Sequence, residues 1–93
     1  MHHITFLDAS TMGDIDLSPL AEWGSLETHA ATSAEQTAGR LNDTTIAITN
    51  KVLIDAGVIE KAPALKLICI AATGTNCVDL QAAKDAGIPV CNV

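Results

Sequence analysis

Aromatic side chains are almost missing from this chain: 93 residues carry one Phe, one Trp and no Tyr. Proteins that stack bases or hold a flavin between rings use aromatics in groups, so the composition argues against both roles. Basic residues are scarce too. Five Lys and Arg face eleven Asp and Glu, for a net charge of −6. That sign disfavours nucleic acid as a partner, because affinity for a polyanion rests on neutralising phosphates. No apolar run approaches the ~20 residues that a membrane span needs, so no membrane contact is expected, and no signal peptide opens the chain. Cys69, Cys77 and Cys91 are odd in number and form no Cys-x-x-Cys pair. This usage suits reduced thiols in a cytoplasmic protein. His2, His3 and His29 have no partners at metal-ligand spacing, so no metal site is expected. His2 and His3 read as solvent-facing or frayed, and His29 as the end of a strand.

What is present is aliphatic. Nearly half of the residues are apolar, mostly Ala, Ile, Leu and Val. That mix suits a parallel sheet covered by Ala-rich helices, in one small domain. Five apolar runs mark strands: Ile4–Leu7, Leu26–His29, Thr45–Thr49, Leu65–Ala71 and Ile88–Val93. The fourth is near-continuous rather than alternating, as in a strand covered on both faces. Its side chains should divide between the faces, Ile68 and Ile70 against Leu67 and Cys69.

Helical signals fall between the runs. Ser18-Pro19 opens a short segment that Gly24 closes, with Trp23 packed under it. Thr32 and Glu35 have capping-box spacing, and the helix they open aligns Ala34, Ala38 and Leu41 on one face. Asp55 can cap Ala56–Ala62, which Pro63 ends. Asp79 can cap Leu80–Ala86, with Gly87 as its stop. Strands and helices therefore alternate. Right-handed crossovers then predict a flavodoxin-like α/β fold: five parallel strands in the order 2-1-3-4-5 with flanking helices. The chain stops at the end of a predicted strand with no helix following, so a truncated domain is expected.

In such sheets ligands bind beyond the carboxyl ends of the strands. That rule selects the loops after the first strand (Asp8 to Asp14), the third (Thr49-Asn50-Lys51) and the fourth (Ala72 to Asp79). The last is the most informative. A buried strand runs into a loop centred on Gly74, and the loop opens a helix. Backbone N–H groups there can converge on an anion, and glycine allows close approach. An ordinary βα turn with Asp79 as N-cap explains the same residues. Lys51 could add positive charge for an acidic ligand if strands three and four are neighbours; a solvated lysine is the plain alternative. A receiver domain would need an Asp where Thr49-Asn50 stands. Ser10-Thr11-Met12-Gly13 is a poor flavodoxin phosphate loop without aromatics beside it. Cys77 has no nearby histidine to activate it and reads as a spectator thiol.

The run LKLICIAATGTNCVDLQAAKDAGIPVCNV (Leu65–Val93) resembles the N-terminal region of the D-isomer-specific 2-hydroxyacid dehydrogenases. The likeness is carried by Gly74, Asp79, Leu80, Ala82, Ala83, Gly87, Ile88, Pro89, Val90 and Asn92. Ile4–Ala9 and Thr49-Asn50-Lys51-Val52 fit as well. Within the family the chain is most similar to the glycerate dehydrogenase/hydroxypyruvate reductase branch. The resemblance implies the first piece of a substrate-binding domain into which a nicotinamide-binding domain is inserted. It implies hydride transfer between NAD or NADP and a small 2-hydroxy or 2-keto acid, in a full-length homodimer. It places the substrate carboxylate on backbone groups around Thr73 and Gly74, with Asn50 and Lys51 lining the facing loop. No Gly-x-Gly-x-x-Gly is present, and no position matches the family's catalytic arginine, glutamate and histidine. The fragment itself should therefore be inactive, and the cofactor would belong to the missing domain. A stand-alone, non-enzymatic module that binds a small carboxylate or a protein partner is the competing reading.

Overall fold

The computed structural model describes residues 2–9, 22, 24–71 and 77–92. Within them, β1 (His2–Phe6), β2 (Gly24–Thr28), β3 (Ile46–Thr49), β4 (Leu67–Ile70) and β5 (Val90–Asn92) form one sheet. Every pairing is parallel, and the strand order is β2-β1-β3-β4-β5, as predicted. Three helices, α1 (Ala34–Leu41), α2 (Ala56–Glu60) and α3 (Leu80–Asp85), alternate with β2 to β5. Ser18 to Leu20 and Trp23, expected in a helical segment after β1, lie outside the described residues.

The sheet separates two apolar layers. On one side Leu7, Ala47, Ile68 and Ile70 pack with Leu41 of α1, Val58 and Ile59 of α2, and Ala83 of α3. On the other, Ile4, Phe6 and Ile48 are buried, while Leu26, Ile46, Cys69 and Ala71 are partly buried against them. The fourth strand therefore divides as expected, Ile68 and Ile70 to the helix-covered layer and Cys69 to the opposite one. Each fully buried Ile contributes about 1.5–3 kcal/mol relative to exposure, which is why the continuous aliphatic run becomes the strand that joins β3 to β5.

Local signals held where the cap is a short-range contact. Asp55 accepts the Val58 N–H at 3.0 Å and Asp79 the Ala82 N–H at 3.0 Å. Gly87, at φ +74°, ends α3 in the left-handed conformation that glycine favours. The helices are shorter than predicted: α2 stops at Glu60, and Ala62 is buried in the turn that follows.

Two local expectations are corrected. The first concerns α1, which is capped one residue later. Ser33 is the N-cap, and Gln36 Oε1 accepts its N–H at 3.1 Å. The Thr32 hydroxyl is used elsewhere: it donates to the Leu7 carbonyl at 2.6 Å and accepts from Arg40 at 2.6 Å. The buried side of α1 turns accordingly to Thr37 and Leu41, leaving Ala34 exposed. The second concerns Gly24, which opens β2 rather than closing a helix. A Cβ there would lie 1.9 Å from the His2 carbonyl oxygen, so only glycine permits this pairing. His2 and His3 are the first residues of β1, His2 exposed as expected and His3 half-buried. The His3 N–H donates to Thr45 Oγ1 at 2.8 Å.

Candidate functional site at the carboxyl edge of the sheet

β1, β3 and β4 are adjacent and parallel, so their carboxyl ends emerge on one edge. Asp8, just past β1, is 3% exposed. Its carboxylate accepts two backbone N–H groups across the sheet, Asn50 to Oδ1 at 2.8 Å and Lys51 to Oδ2 at 2.6 Å. Strand pairing delivers it there, because Leu7 N–H donates to the Ile48 carbonyl at 2.9 Å and continues the β1–β3 ladder. Two successive N–H groups converging on one anion form a nest. Here the anion is the protein's own carboxylate.

The same loop is closed from within and from the far side. Thr49, fully buried, donates its hydroxyl to the Val52 carbonyl at 2.9 Å. Ile54 forms an isolated parallel bridge with Val78. Ile54 N–H donates to the Cys77 carbonyl at 2.7 Å, and Asp79 N–H to the Ile54 carbonyl at 3.0 Å. The Cys77 thiol faces the Asn50 carbonyl at 3.8 Å. Burial, and to a lesser extent the nearby Asp8 charge, push that thiol above its ordinary value. It is held as the weakly nucleophilic protonated form, which agrees with a spectator role.

Asn50 and Lys51 therefore stand beside residues 77–79, where the glycine loop gives way to α3. Asn50 is half-buried and Lys51 exposed. Their main-chain N–H groups are bound to Asp8, so the donors they offer an anionic ligand come from side chains. Thr73 and Gly74, the centre of the expected anion loop, lie outside the described residues, as do Ser10 to Gly13. Asp8 is the residue that sequence reasoning undervalued. Its signal was an acid at the end of a strand whose neighbour in the predicted order carries a loop with free N–H groups. Among the described residues no group of three or more His, Cys, Asp or Glu is placed to hold a metal, and no helix is long and apolar enough to cross a membrane.

A five-stranded parallel sheet in the order β2-β1-β3-β4-β5 with flanking helices defines an α/β domain of the flavodoxin-like class. The family model for the D-isomer specific 2-hydroxyacid dehydrogenase catalytic domain matches residues 4–93, and the chain belongs to that family. It is 37% identical over 84 residues to a hydroxypyruvate reductase of Blautia hydrogenotrophica, covering 87% of this chain and 26% of the relative. It is 48% identical over 59 residues to a glycerate dehydrogenase of Methylorubrum extorquens, covering 63% of this chain and 19% of the relative. Among solved structures, it is similar to an acyclic imino acid reductase in complex with NADPH and D-Arg. That likeness has a TM-score of 0.85 at 28% identity, over 97% of this chain and 30% of the other. The chain thus spans between a fifth and a third of the length of these proteins, on the glycerate dehydrogenase/hydroxypyruvate reductase side of the family.

Proposed function

We propose that these 93 residues are the N-terminal segment of the substrate-binding domain of an NAD(P)-dependent D-2-hydroxyacid dehydrogenase. They form one wall of the pocket for a small 2-keto or 2-hydroxy acid. The observation that carries this reading is the Asp8-bound loop at Asn50-Lys51, set against residues 77–79 on the carboxyl edge of a chain that matches the family from Ile4 onward. In this reading the backbone around Thr73 and Gly74 binds the substrate carboxylate, and the side chains of Asn50 and Lys51 face it. Lys51 adds positive charge close to an acidic ligand, and the Asp8 clamp sets where that charge stands.

The hydride transfer of this reading uses a nicotinamide, and this chain does not fit one. Its sequence has no Gly-x-Gly-x-x-Gly cradle. The cofactor and the catalytic acid–base residues accordingly belong to a separate domain, and the 93 residues alone are inactive. The NADPH complex of the similar imino acid reductase supports a nicotinamide cofactor for the whole enzyme. Its setting is taken to be the cytoplasm, as a homodimer.

The test begins with the coding sequence past Val93. A frame that continues into a strand, a Gly-x-Gly-x-x-Gly turn and a helix is expected. The protein encoded by that frame should consume reduced nicotinamide when given hydroxypyruvate or another small 2-keto acid. The 93-residue chain should not. A genuine stop after Val93, or a folded longer protein that turns over no 2-keto acid, overturns the reading.

A further inference from the structure

Across the sheet, Phe6, Ile48, Cys69 and Cys91 are register partners in one row on the face opposite the three helices. The row runs from fully buried to open: Phe6 is 2% exposed, Cys69 is half-buried and Cys91 is exposed. Cys69 and Cys91 are direct partners on parallel neighbours β4 and β5, and their sulfurs lie 3.2 Å apart. Neighbouring strands bring paired Cα atoms to ~4.8 Å, inside the 4.4–6.8 Å window of disulfides. A bond of ~2.05 Å needs the sulfurs to close by about 1.2 Å, within reach of side-chain rotation. Neither thiol takes part in the carboxyl-edge site.

We propose that Cys69 and Cys91 are an oxidant-responsive dithiol that closes to an intrachain disulfide in the presence of hydrogen peroxide. Cys91 is the exposed sulfur and meets the oxidant. Its thiolate, formed by loss of a proton to water, attacks one peroxide oxygen and the O–O bond breaks. The leaving hydroxide takes up a proton, giving water and Cys91 sulfenic acid. The Cys69 sulfur then attacks the Cys91 sulfur. The S–O bond breaks, and the departing hydroxide takes the Cys69 thiol proton. Two thiols lose two electrons in total, and one peroxide becomes two waters. Burial, reinforced by the neighbouring Cys91, holds Cys69 up at about 12, so the exposed Cys91 and not Cys69 is the thiol that meets the oxidant first. Cys77 is half-buried and turned to the Asn50 carbonyl, outside the pair. The ring closed by the new bond contains α3 and residues 77–79, so oxidation ties together both ends of the segment that faces Asn50.

The experiment titrates the reduced 93-residue chain with hydrogen peroxide at low protein concentration, then alkylates and digests it with trypsin. Cleavage at Lys66 and Lys84 separates Cys69 from Cys91. The expected result is a linked peptide pair whose fragmentation assigns Cys69 to Cys91, with Cys77 still alkylatable, and full return of both thiols with dithiothreitol. Cys77→Ser should oxidise as wild type. Cys69→Ser should stop at a Cys91 sulfenic acid that a cyclic dione traps. The proposal fails if peroxide yields only chain-to-chain dimers through Cys91. It also fails if Cys91 goes on to sulfinic acid while Cys69 in the wild-type chain remains free.

Discussion

Asp8 and Lys51 are 43 positions apart, yet the Asp8 carboxylate accepts the Lys51 main-chain N–H at 2.6 Å. With the Asn50 N–H on its other oxygen, Asp8 serves as the internal anion of a backbone nest. The loop that presents Asn50 and Lys51 therefore takes its shape from a side chain on a different strand.

This relationship predicts the effect of removing the carboxylate. Asp8→Ala leaves the Asn50 and Lys51 N–H groups without this acceptor and should cost at most about 3–6 kcal/mol, since hydrogen bonds to charged groups are worth about 1.5–3 each. Asp8→Asn should lose about half as much, because its amide keeps one oxygen but turns –NH₂ toward the other donor. Urea unfolding followed by circular dichroism measures both. An unchanged midpoint in Asp8→Ala would show that the loop does not depend on the clamp.

Two glycines should respond in opposite directions to the same change. Gly24→Ala puts a Cβ against the His2 carbonyl, and backbone has to shift at the β1–β2 pairing. A loss of about 1–3 kcal/mol or more is expected. Gly39 lies inside α1 with nothing within 4 Å of its would-be Cβ. Gly39→Ala should stabilise the chain by about 0.5–1 kcal/mol through helix propensity alone. Thermal midpoints of the two variants, compared with wild type, check the sign of each.

Alkali should weaken the fold. Cys69 is raised from 9.0 to about 12 by burial first and by Cys91 second. The folded chain thus holds this proton more tightly than the unfolded one. That contribution is fully present below about pH 9 and is lost as pH rises from there toward 12. Solvent reaches much of the thiol, so screening reduces its size. Under reducing conditions, the urea midpoint of wild type should fall between pH 8 and pH 10, and Cys69→Ala should flatten that slope. A parallel decline in both proteins would assign the alkaline loss to other groups.

Much of the fold was legible because its signals are local or collective. The near-continuous Leu65–Ala71 run read as an interior strand, and alternation with helices then left few topologies. Asp55 and Asp79 were readable as caps because each bonds a donor three residues away. Thr32 misled because its hydroxyl serves the Leu7 carbonyl, 25 positions back, a use that no local pattern discloses. The same holds at the site. Asn50 and Lys51 could be placed on the carboxyl edge from strand order alone. The bond that orients them needed the register of β1 on β3. The Cys69–Cys91 partnership likewise exists only once β4 and β5 are aligned.

The glycine loop carries the sharpest prediction about substrate. Gly74 follows the buried strand β4 and precedes the helix capped by Asp79, and the family resemblance assigns the substrate carboxylate to the backbone around Thr73 and Gly74. Main-chain groups survive side-chain truncation, so Thr73→Ala in the full-length enzyme proposed above should leave kcat/KM for a 2-keto acid nearly unchanged. Gly74→Val would set a branched side chain where the ligand approaches the backbone. Loss of one charge-assisted hydrogen bond is worth about 1.5–3 kcal/mol, so kcat/KM should fall about ten- to a hundredfold. Lys51→Met should act more mildly, through charge at a distance, and its effect should fade as salt rises. The Lys51 main-chain bond to Asp8 is retained in that variant, so loop geometry and charge are separated. Steady-state kinetics on folded variants decide the matter. Wild-type kcat/KM in Gly74→Val would mean that the carboxylate is bound elsewhere, and Asn50 and Lys51 would then lose their assigned place opposite it.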